Sequence, residues 1–532
     1  MKKLFVFPIL LTLIFSSTEI GSAGVRADLT LPNQGIRITE GSFSRTFVPV
    51  LMASYTRNSP VQLICSSIYD ETCTQYSYIR AAAHLPPCND LIKFNCISAV
   101  YALNNLGEKI LGKFIKFVPE QGLTDFAASD VNNLPQGKGQ GGIWQIPGIN
   151  HSGGNDNYYV TSIIHSNLTK NRDERVSNQK FEDSRLKALI GPVNEQSGAY
   201  SPQYALDSRN PARDGSPTGG IGSGSNSQAL DRDKCLVFGF GTCQMPQSFP
   251  AETRFGLSII LGEKLKGWFH GRIYKPEINI TNYQNGSQLI NIEAEPVKVP
   301  TIEKSIPTSQ ISEDLRSYLS QDRQLAEGGG YLMPGSSGQE AFDLAKLWIP
   351  LLNDRATTSQ TVWTVQTLDV YQSNNVQSCS AENSQLSGVV TTNALVYSAG
   401  PPAYNQQTQT LDYQLTSTHL NADETEAIGS YDLVLKSEVA RCIYGFSNAP
   451  IRASISIFGA NGENKVATTV INEKNGWLYL SANGFTYSSP LIKVKLTQAK
   501  NQRYSISCVK GKATKKVTGT NPKCPKGFKQ KV

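Results

Sequence analysis

The sequence predicts a mainly β, multidomain chain: a β-rich N-terminal unit, a short helical connector and a C-terminal β-sandwich of Ig-like general architecture. Three observations lead to this prediction. Short apolar runs with period-two alternation recur along the 532 residues, separated by clusters of Gly, Pro and Asn. Helical periodicity is confined to one stretch, and only 17% of residues are charged. Ten cysteines, an even number, indicate a framework of internal disulfides.

The first 27 residues have the pattern of a secretory signal peptide. Lys2 and Lys3 precede a largely apolar run that ends at Phe15, and a polar stretch leads to cleavage after Ala27, with Ala23 as the alternative. The run is shorter than the ~20 apolar residues that a transmembrane helix needs. We therefore expect a secreted, extracellular chain with no transmembrane segment once the signal is removed.

Residues 28–60 are a lead-in segment with little periodicity, and a β-rich unit follows over 61–300. Within this unit, 96–102 and 109–118 alternate on either side of a turn and predict a hairpin. The Gly/Ser-rich stretch 215–227 is expected to be an inserted surface loop. The pattern is compatible with one domain or two over 61–300.

Residues 301–360 are predicted to be a helical connector. Ser312 is a suitable N-cap for a helix from Glu313 to about Ala326. Residues 337–340 fit a capping box for a second helix, and Pro350 marks the approach to its end.

Alternation returns over 361–499 and predicts a sandwich of about eight short strands. We expect Cys379 and Cys442 to bridge its two sheets, with Trp363 or Trp477 packed nearby. The predicted strands are 362–365, 388–397, 411–415, 431–435, 451–457, 467–471, 477–480 and 491–496.

The cysteine spacing favours disulfides over a metal site. Three neighbouring pairs each have seven residues between them, outside the C-x2-C to C-x4-C spacing of zinc sites. The repeated spacing favours local pairs that close short loops, although crossed pairing, such as Cys65 with Cys96, remains open. No metal or other cofactor is expected. The cysteines are Cys65, Cys73, Cys88, Cys96, Cys235, Cys243, Cys379, Cys442, Cys508 and Cys524.

Residues 500–532 are a basic tail, which Cys508 and Cys524 are expected to staple. The tail contains ten basic residues and no acidic one, whereas 28–499 carries a net charge of −5. A cationic segment outside a cell suits an anionic cell-wall polymer or polysaccharide, and a merely solvated extension is the alternative. An acidic body and an exported location argue against nucleic acid. The candidate lysines are Lys510, Lys512, Lys515, Lys516, Lys523, Lys526, Lys529 and Lys531.

The end of the chain resembles a known group of proteins. Residues 508–517 (CVKGKATKKV) and 522–529 (PKCPKGFK) are similar to a tail found in secreted actinobacterial proteins of unestablished function. Residues 440–447 and 476–486 resemble the domain that precedes that tail. The resemblance covers about the last third of the chain, implies export and a bacterial source, and carries no activity or site residues.

The sequence offers little that points to catalysis. It contains no H-E-x-x-H and no G-x-S-x-G motif, so no catalytic residue is assigned. His151 and Asp156, in a loop rich in Gly and Asn, are the candidate ligand-binding residues, although a loop histidine bonded to backbone is the commoner situation. We therefore expect an exported, non-enzymatic envelope-associated or adhesion protein. A secreted polysaccharide hydrolase is the alternative, but nothing selects its carboxylate pair.

Overall fold

A computed structural model describes most of the chain. The predicted signal peptide and most of the predicted loop 215–227 lie outside the described residues. Those residues are 29–40, 49–56, 63–170 without 105 and 123, 179–200, 203–204, 223–224, 235–321, 327–328, 331–368, 379, 386–447, 451–458, 464–465, 468–487, 491–498, 504–519 without 512, and 523–530.

Strands dominate the described residues, as predicted. The first half contains β1 (Asn33–Ile38), β2 (Val50–Ser54), β3 (Leu63–Ile64), β4 (Tyr78–His84), β5 (Cys96–Leu103), β6 (Lys109–Leu111), β7 (Lys113–Phe117), β8 (Gly142–Gln145), β9 (Asn157–Thr169), β10 (Glu182–Ser197), β11 (Gln203–Tyr204), β12 (Ser223–Gly224), β13 (Val237–Gly239), β14 (Thr242–Pro246), β15 (Arg254–Leu261), β16 (Gly267–Asn282) and β17 (Gln288–Pro307). The second half contains β18 (Glu327–Gly328), β19 (Tyr331–Leu332), β20 (Thr358–Thr367), β21 (Leu386–Thr392), β22 (Val396–Tyr397), β23 (Ala403–Asn405), β24 (Thr410–Thr416), β25 (Ile428–Lys436), β26 (Ile451–Phe458), β27 (Asn464–Lys465), β28 (Thr468–Lys474), β29 (Trp477–Thr486), β30 (Leu491–Gln498), β31 (Tyr504–Lys510), β32 (Ala513–Gly519) and β33 (Lys529–Gln530). The helices are α1 (Glu71–Thr74), α2 (Glu313–Ser320), α3 (Gln339–Trp348) and α4 (Ser437–Tyr444), with 3-10 turns at Gln284–Gly286, Thr308–Gln310 and Ile349–Leu352.

The chain divides into two compact units, residues 1–35 with 305–333 and residues 36–304 with 334–532. The first unit contains α2 and the short hairpin of β18 and β19. The predicted cap of α2 is confirmed, because Ser312 Oγ accepts a hydrogen bond of 3.2 Å from the Leu315 amide. The helix stops at Ser320 and not near Ala326, since the next residue already has extended backbone.

The second unit is built around one long, mostly antiparallel sheet, the central sheet. Its strands lie in the order β3-β2-β4-β9-β10-β20-β16-β21-β25-β29-β28, and only β16 and β21 run parallel. A second sheet has the order β6-β5-β15-β17-β16, so the long strand β16 belongs to both sheets. A third sheet contains β22, β23, β24, β30, β26 and β27.

The second and third sheets cover opposite faces of the central sheet. Val389 and Val434 belong to the apolar core on the side of the second sheet. Their strand neighbours Val390 and Leu433 belong to the core on the side of the third sheet. Successive side chains of a strand point to opposite faces, so β21 and β25 are buried on both sides. The predicted C-terminal sandwich therefore exists, and its inner sheet continues into the N-terminal β region.

The hairpin predicted from 96–102 and 109–118 is confirmed in its first part. Strand β6 pairs with β5, but β7 leaves this pairing and joins β8 in the central sheet. Gly112 lies at the transition, where an added Cβ would stand 3.1 Å from the Val100 carbonyl oxygen. A glycine therefore suits this close approach of two strands, because any larger residue would make a tight contact there.

All ten cysteines are paired, and the local pairing is the one that forms. The crossed alternative is excluded for the first four. The pairs are Cys65–Cys73, Cys88–Cys96, Cys235–Cys243, Cys379–Cys442 and Cys508–Cys524.

The expected placement of the Cys379–Cys442 disulfide between two sheets is wrong. Cys442 lies on α4, a helix that follows the alternating stretch 431–435 and was not predicted from the sequence. The disulfide therefore ties a helix and not a strand of either sheet. Trp363 and Trp477 both lie in the core between the central and second sheets, where Trp363 Nε1 donates to the Ala294 carbonyl.

The capping box predicted at the start of α3 does not form. Gly338, not Ser337, is the N-cap, and no side chain caps the helix. Gly338 has a φ of 91°, a backbone conformation that favours glycine over other residues. The predicted end is confirmed, since the helix gives way to a 3-10 turn that contains Pro350.

A buried ion pair lies in the second unit. Arg272, fully buried on β16, donates from Nε to Glu40 Oε2 at 2.7 Å. Its Nη1 donates to the carbonyl oxygens of Thr392 at 3.0 Å and Ala394 at 2.6 Å. The guanidinium carbon also lies 4.4 Å from the centre of the Tyr397 ring. Charge, backbone dipoles and an aromatic face thus replace much of the water that Arg272 loses on burial, while Nη2 has no hydrogen-bond partner among the described atoms.

His165 lies on β9 between β4 and β10 and is largely withdrawn from water. Burial, with the positive charges of Lys187, Arg80 and Arg185 and the nearby His84 ring, lowers its pKa to about 3. The folded protein therefore holds this ring neutral at pH values where the unfolded chain protonates it.

This difference predicts acid-sensitive stability. Below pH 6.5 the His165 side chain is protonated in the unfolded chain but stays neutral in the folded one. The free energy of unfolding therefore decreases as the pH falls from 6.5 towards the folded-state pKa of about 3. Between pH 7 and pH 5 we expect this residue to remove about 2 kcal/mol from the free energy of unfolding. Urea titrations at several pH values should show a flatter profile for His165→Gln. Parallel profiles for the two proteins would contradict the assignment.

Candidate functional site

The His151 side chain forms hydrogen bonds within its own loop and stabilises the loop's conformation. The ring is buried, and Nε2 donates to Asn155 Oδ1 at 2.8 Å while Nδ1 accepts from the Gly153 amide at 3.0 Å. The ring also meets Tyr158 edge to face, with 5.6 Å between centroids. Burial lowers the pKa of His151, which matches a neutral ring with the proton on Nε2.

Asp156 has a similar role at the other end of the loop. Its Oδ1 accepts from Gln145 Nε2 at 3.1 Å, and its Oδ2 accepts from the Gly148 amide at 3.2 Å. The structure thus brings the two predicted residues into one loop and gives each of them partners within or beside that loop. A cavity of about 530 Å³ lies next to Ser152 of this loop, and its described lining includes neither His151 nor Asp156.

The basic tail forms a small three-stranded sheet in the order β32-β31-β33. Cys508 is fully buried on β31, the middle strand of this small sheet, and its disulfide bond joins β31 to Cys524. Lys515 lies opposite Cys508, whereas Lys516 lies opposite Ser507, so the lysines point to both faces of the sheet.

Six of the eight candidate lysines fall within the described residues, and all six are exposed. Among the described residues none of them forms an ion pair with a carboxylate, in keeping with a tail that has no acidic residue. They are Lys510, Lys515, Lys516, Lys523, Lys526 and Lys529, while Lys512 and Lys531 lie outside the described residues.

A groove that the sequence analysis did not identify begins at an irregularity in β16. The register between β16 and β17 shifts between Tyr274 and Glu277, and Lys275 has a φ of 49°. Pro276 follows, and proline has no amide hydrogen to offer a sheet. The bulge therefore removes the backbone groups of Lys275 from the strand ladder.

Two buried or half-buried side chains take up those backbone groups. Asp432 Oδ2 accepts from the Lys275 amide at 2.9 Å. Arg254 donates from Nη2 to the Lys275 carbonyl at 3.1 Å, and its Nε pairs with Glu293 at 3.1 Å. The bulge is thus fixed from both sides by charged groups, which keeps an opening between β16 and the neighbouring strands.

The floor of the groove is a polar row on one face of β25 and β29. Ser430 lies opposite Asn483, and Asp432 lies opposite Ser481. Ser481 Oγ donates to Asp432 Oδ1, and Thr391 Oγ1 donates to Oδ2 at 3.2 Å. Burial raises the pKa of Asp432, although these hydrogen bonds act in the opposite direction.

Asn483 has a side-chain oxygen without a hydrogen-bond partner among the described atoms. Its Nδ2 donates to Ser481 Oγ at 2.8 Å, and its Oδ1 is buried without a partner among the described atoms. It lines two cavities, of about 290 and about 220 Å³. We call these two cavities together the bulge groove.

The sequence held two signals for this site. Asp432 interrupts an otherwise apolar strand run, Tyr431 to Leu435, where a carboxylate needs a specific partner. Lys275-Pro276 lies between the apolar residues of 267–274 and those of 278–280, and proline within a strand indicates an edge or a bulge. Which strand supplies the partner of Asp432 is a long-range property that neither signal contains.

Within the described ranges, no three His, Cys, Asp or Glu side chains converge so as to hold a metal ion. The part of the chain that the structure describes contains no helix long and apolar enough to cross a bilayer. No protein-family model matches the chain, and no curated protein matches it significantly.

Proposed function

We propose that the protein is an exported, non-enzymatic binding protein that its cationic C-terminal sheet holds at the cell envelope. The observation that carries this proposal is the set of six exposed lysines on a disulfide-tied sheet and its connecting segment, with no carboxylate side chain in the tail. Such a surface attracts polyanions, whereas the body, with its net charge of −5, does not. Five disulfides support an oxidising, extracellular location, which the predicted signal peptide would provide.

Removing the tail charges is the direct test. Changing the six exposed tail lysines to glutamine should reduce co-sedimentation with polygalacturonate beads and with bacterial envelopes by at least about tenfold at low salt. Added salt should release the wild-type protein, because screening shortens the range of the attraction.

A matched control changes six exposed lysines of the body to glutamine: Lys93, Lys109, Lys113, Lys180, Lys266 and Lys346. This control variant should sediment like the wild type. If both variants bind equally well, or if salt has no effect, the tail is only a solvated extension and the proposal is wrong.

One observation favours a polysaccharide hydrolase as the second candidate. Asp432 and Glu277 both line the bulge groove, and Glu277 pairs with Lys474 at 3.1 Å. Glycosidases need one protonated and one ionised carboxyl group. The binding function is preferred because Asp432 is buried and already accepts three hydrogen bonds. Release of reducing ends from a polysaccharide, lost in Asp432→Asn, would establish the second candidate instead.

A further inference from the structure

We infer that the bulge groove binds a neutral saccharide chain. The inference deepens the proposed function, because it names a ligand class for a binding protein of the envelope. It depends on residues of β16, β25, β28 and β29 and not on the tail.

The unpaired Oδ1 of Asn483 favours a ligand that donates a hydrogen bond. The proton of Ser481 goes to Asp432, so the Ser481 oxygen accepts from Asn483, which fixes the orientation of the amide. The remaining Asn483 Oδ1 is a buried acceptor, and leaving such an atom unpaired is costly. Because Oδ1 has almost no exposed surface in the free protein, a small rotation of the Asn483 side chain would bring it to a sugar hydroxyl in the groove, which would supply the missing proton.

The charges around the groove argue for a neutral ligand. Each cation at the groove faces a carboxylate: Arg254 pairs with Glu293, and Lys474 pairs with Glu277. Lys275 lies 3.9 Å from Glu295. An anionic ligand would meet these carboxylates, and a cationic one would meet the paired cations. Hydroxyl groups can donate to the carboxylates and accept from the cations without adding charge.

The shape and the apolar lining argue for a chain of sugar rings. Asn483 lines both cavities, so a ligand bonded there has space on either side of this residue. The half-buried ring of Tyr479, held by a hydrogen bond from its hydroxyl to the Ile278 carbonyl at 3.1 Å, lines the larger cavity beside Pro276 and Val434. Sugar rings carry apolar faces that pack on such surfaces, with hydroxyl groups at their edges.

Saturation-transfer difference NMR on the full chain tests the inference, with trigalacturonate as the anionic comparison and four neutral probes: cellotetraose, maltotetraose, mannotetraose and xylotetraose. At least one should bind saturably in the millimolar range, as expected for a small polar ligand. Asn483→Ala should weaken that binding by about tenfold, the effect of one good hydrogen bond. Asn282→Ala, at an exposed position near the end of β16, is the matched control and should bind like the wild type.

Three results would overturn the inference: no signal from any of the four sugars, equal binding by the folded Asn483→Ala variant, or preferential binding of trigalacturonate. Circular dichroism confirms that each variant is folded. Cleavage of a probe during the measurement would support the groove as a saccharide site and contradict the non-enzymatic function. Failure of the tail lysine variants to lose envelope binding would leave this inference intact.

Discussion

Replacing Arg272 by methionine is expected to lower the free energy of unfolding by about 3–5 kcal/mol, the usual cost of removing one partner from a buried ion pair. The substitution leaves the Glu40 carboxylate buried with only the Ser336 hydroxyl, 3.0 Å away, as a described partner. It also removes the donors of the Thr392 and Ala394 carbonyl oxygens. Guanidinium denaturation followed by circular dichroism measures the loss.

Two controls show that the loss comes from the unpaired charge. The double variant Arg272→Met/Glu40→Leu should recover much of the stability, since an apolar pair of similar volume is often as stable as a buried ion pair. Arg355→Met breaks an exposed pair with Glu424 and should cost no more than about 1 kcal/mol. Equal losses in Arg272→Met and Arg355→Met would mean that the buried pair contributes no more than a surface one.

Removing the Cys379–Cys442 disulfide is expected to cost about 4 kcal/mol, because it closes a loop with a sequence separation of 63 residues. The cross-link restricts the unfolded chain, and a longer loop loses more freedom on closure. It also ties α4, whose Val439 and Ala440 are buried in the core beside the third sheet. The double variant Cys379→Ala/Cys442→Ala, unfolded without reductant, gives the measurement.

The Cys65–Cys73 pair provides the comparison, because its separation is only 8 residues. Its removal should cost about 2.5 kcal/mol on the same entropic argument. A smaller loss for the long loop than for the short one would contradict that argument and indicate that α4 remains in place without the cross-link.

The strands and the local disulfides could be predicted because their signals are short in sequence. Each strand predicted in the C-terminal region from its period-two alternation overlaps a strand of the structure. The bounds are less accurate, since 388–397 divides into β21 and β22, which belong to different sheets, and β29 continues to Thr486. The repeated seven-residue spacing favoured the three local pairs, which form as expected. Helix α4 was missed, since its eight residues bury only one side beside a strongly alternating strand.

The candidate site was less accessible to sequence reasoning. His151 stood out as a histidine in a polar loop, but its partners are the Asn155 side chain and the Gly153 amide. Asp432 and Asn483 stood out less, although they lie on neighbouring strands and line the same groove. Their significance depends on a bulge in β16, more than 150 residues earlier in the chain.

Periodicity, spacing and charge are properties of neighbouring residues. The sequence therefore predicts a mainly β chain, most of its strand positions and a tail with positive charge alone, and it favours the local disulfides. The parallel pairing of β16 and β21, the burial of the central sheet on both faces of β21 and β25, and the bulge groove could be seen only in three dimensions. These features arise where strands far apart in the chain satisfy each other's backbone and buried polar groups, and such partners are chosen by packing in three dimensions.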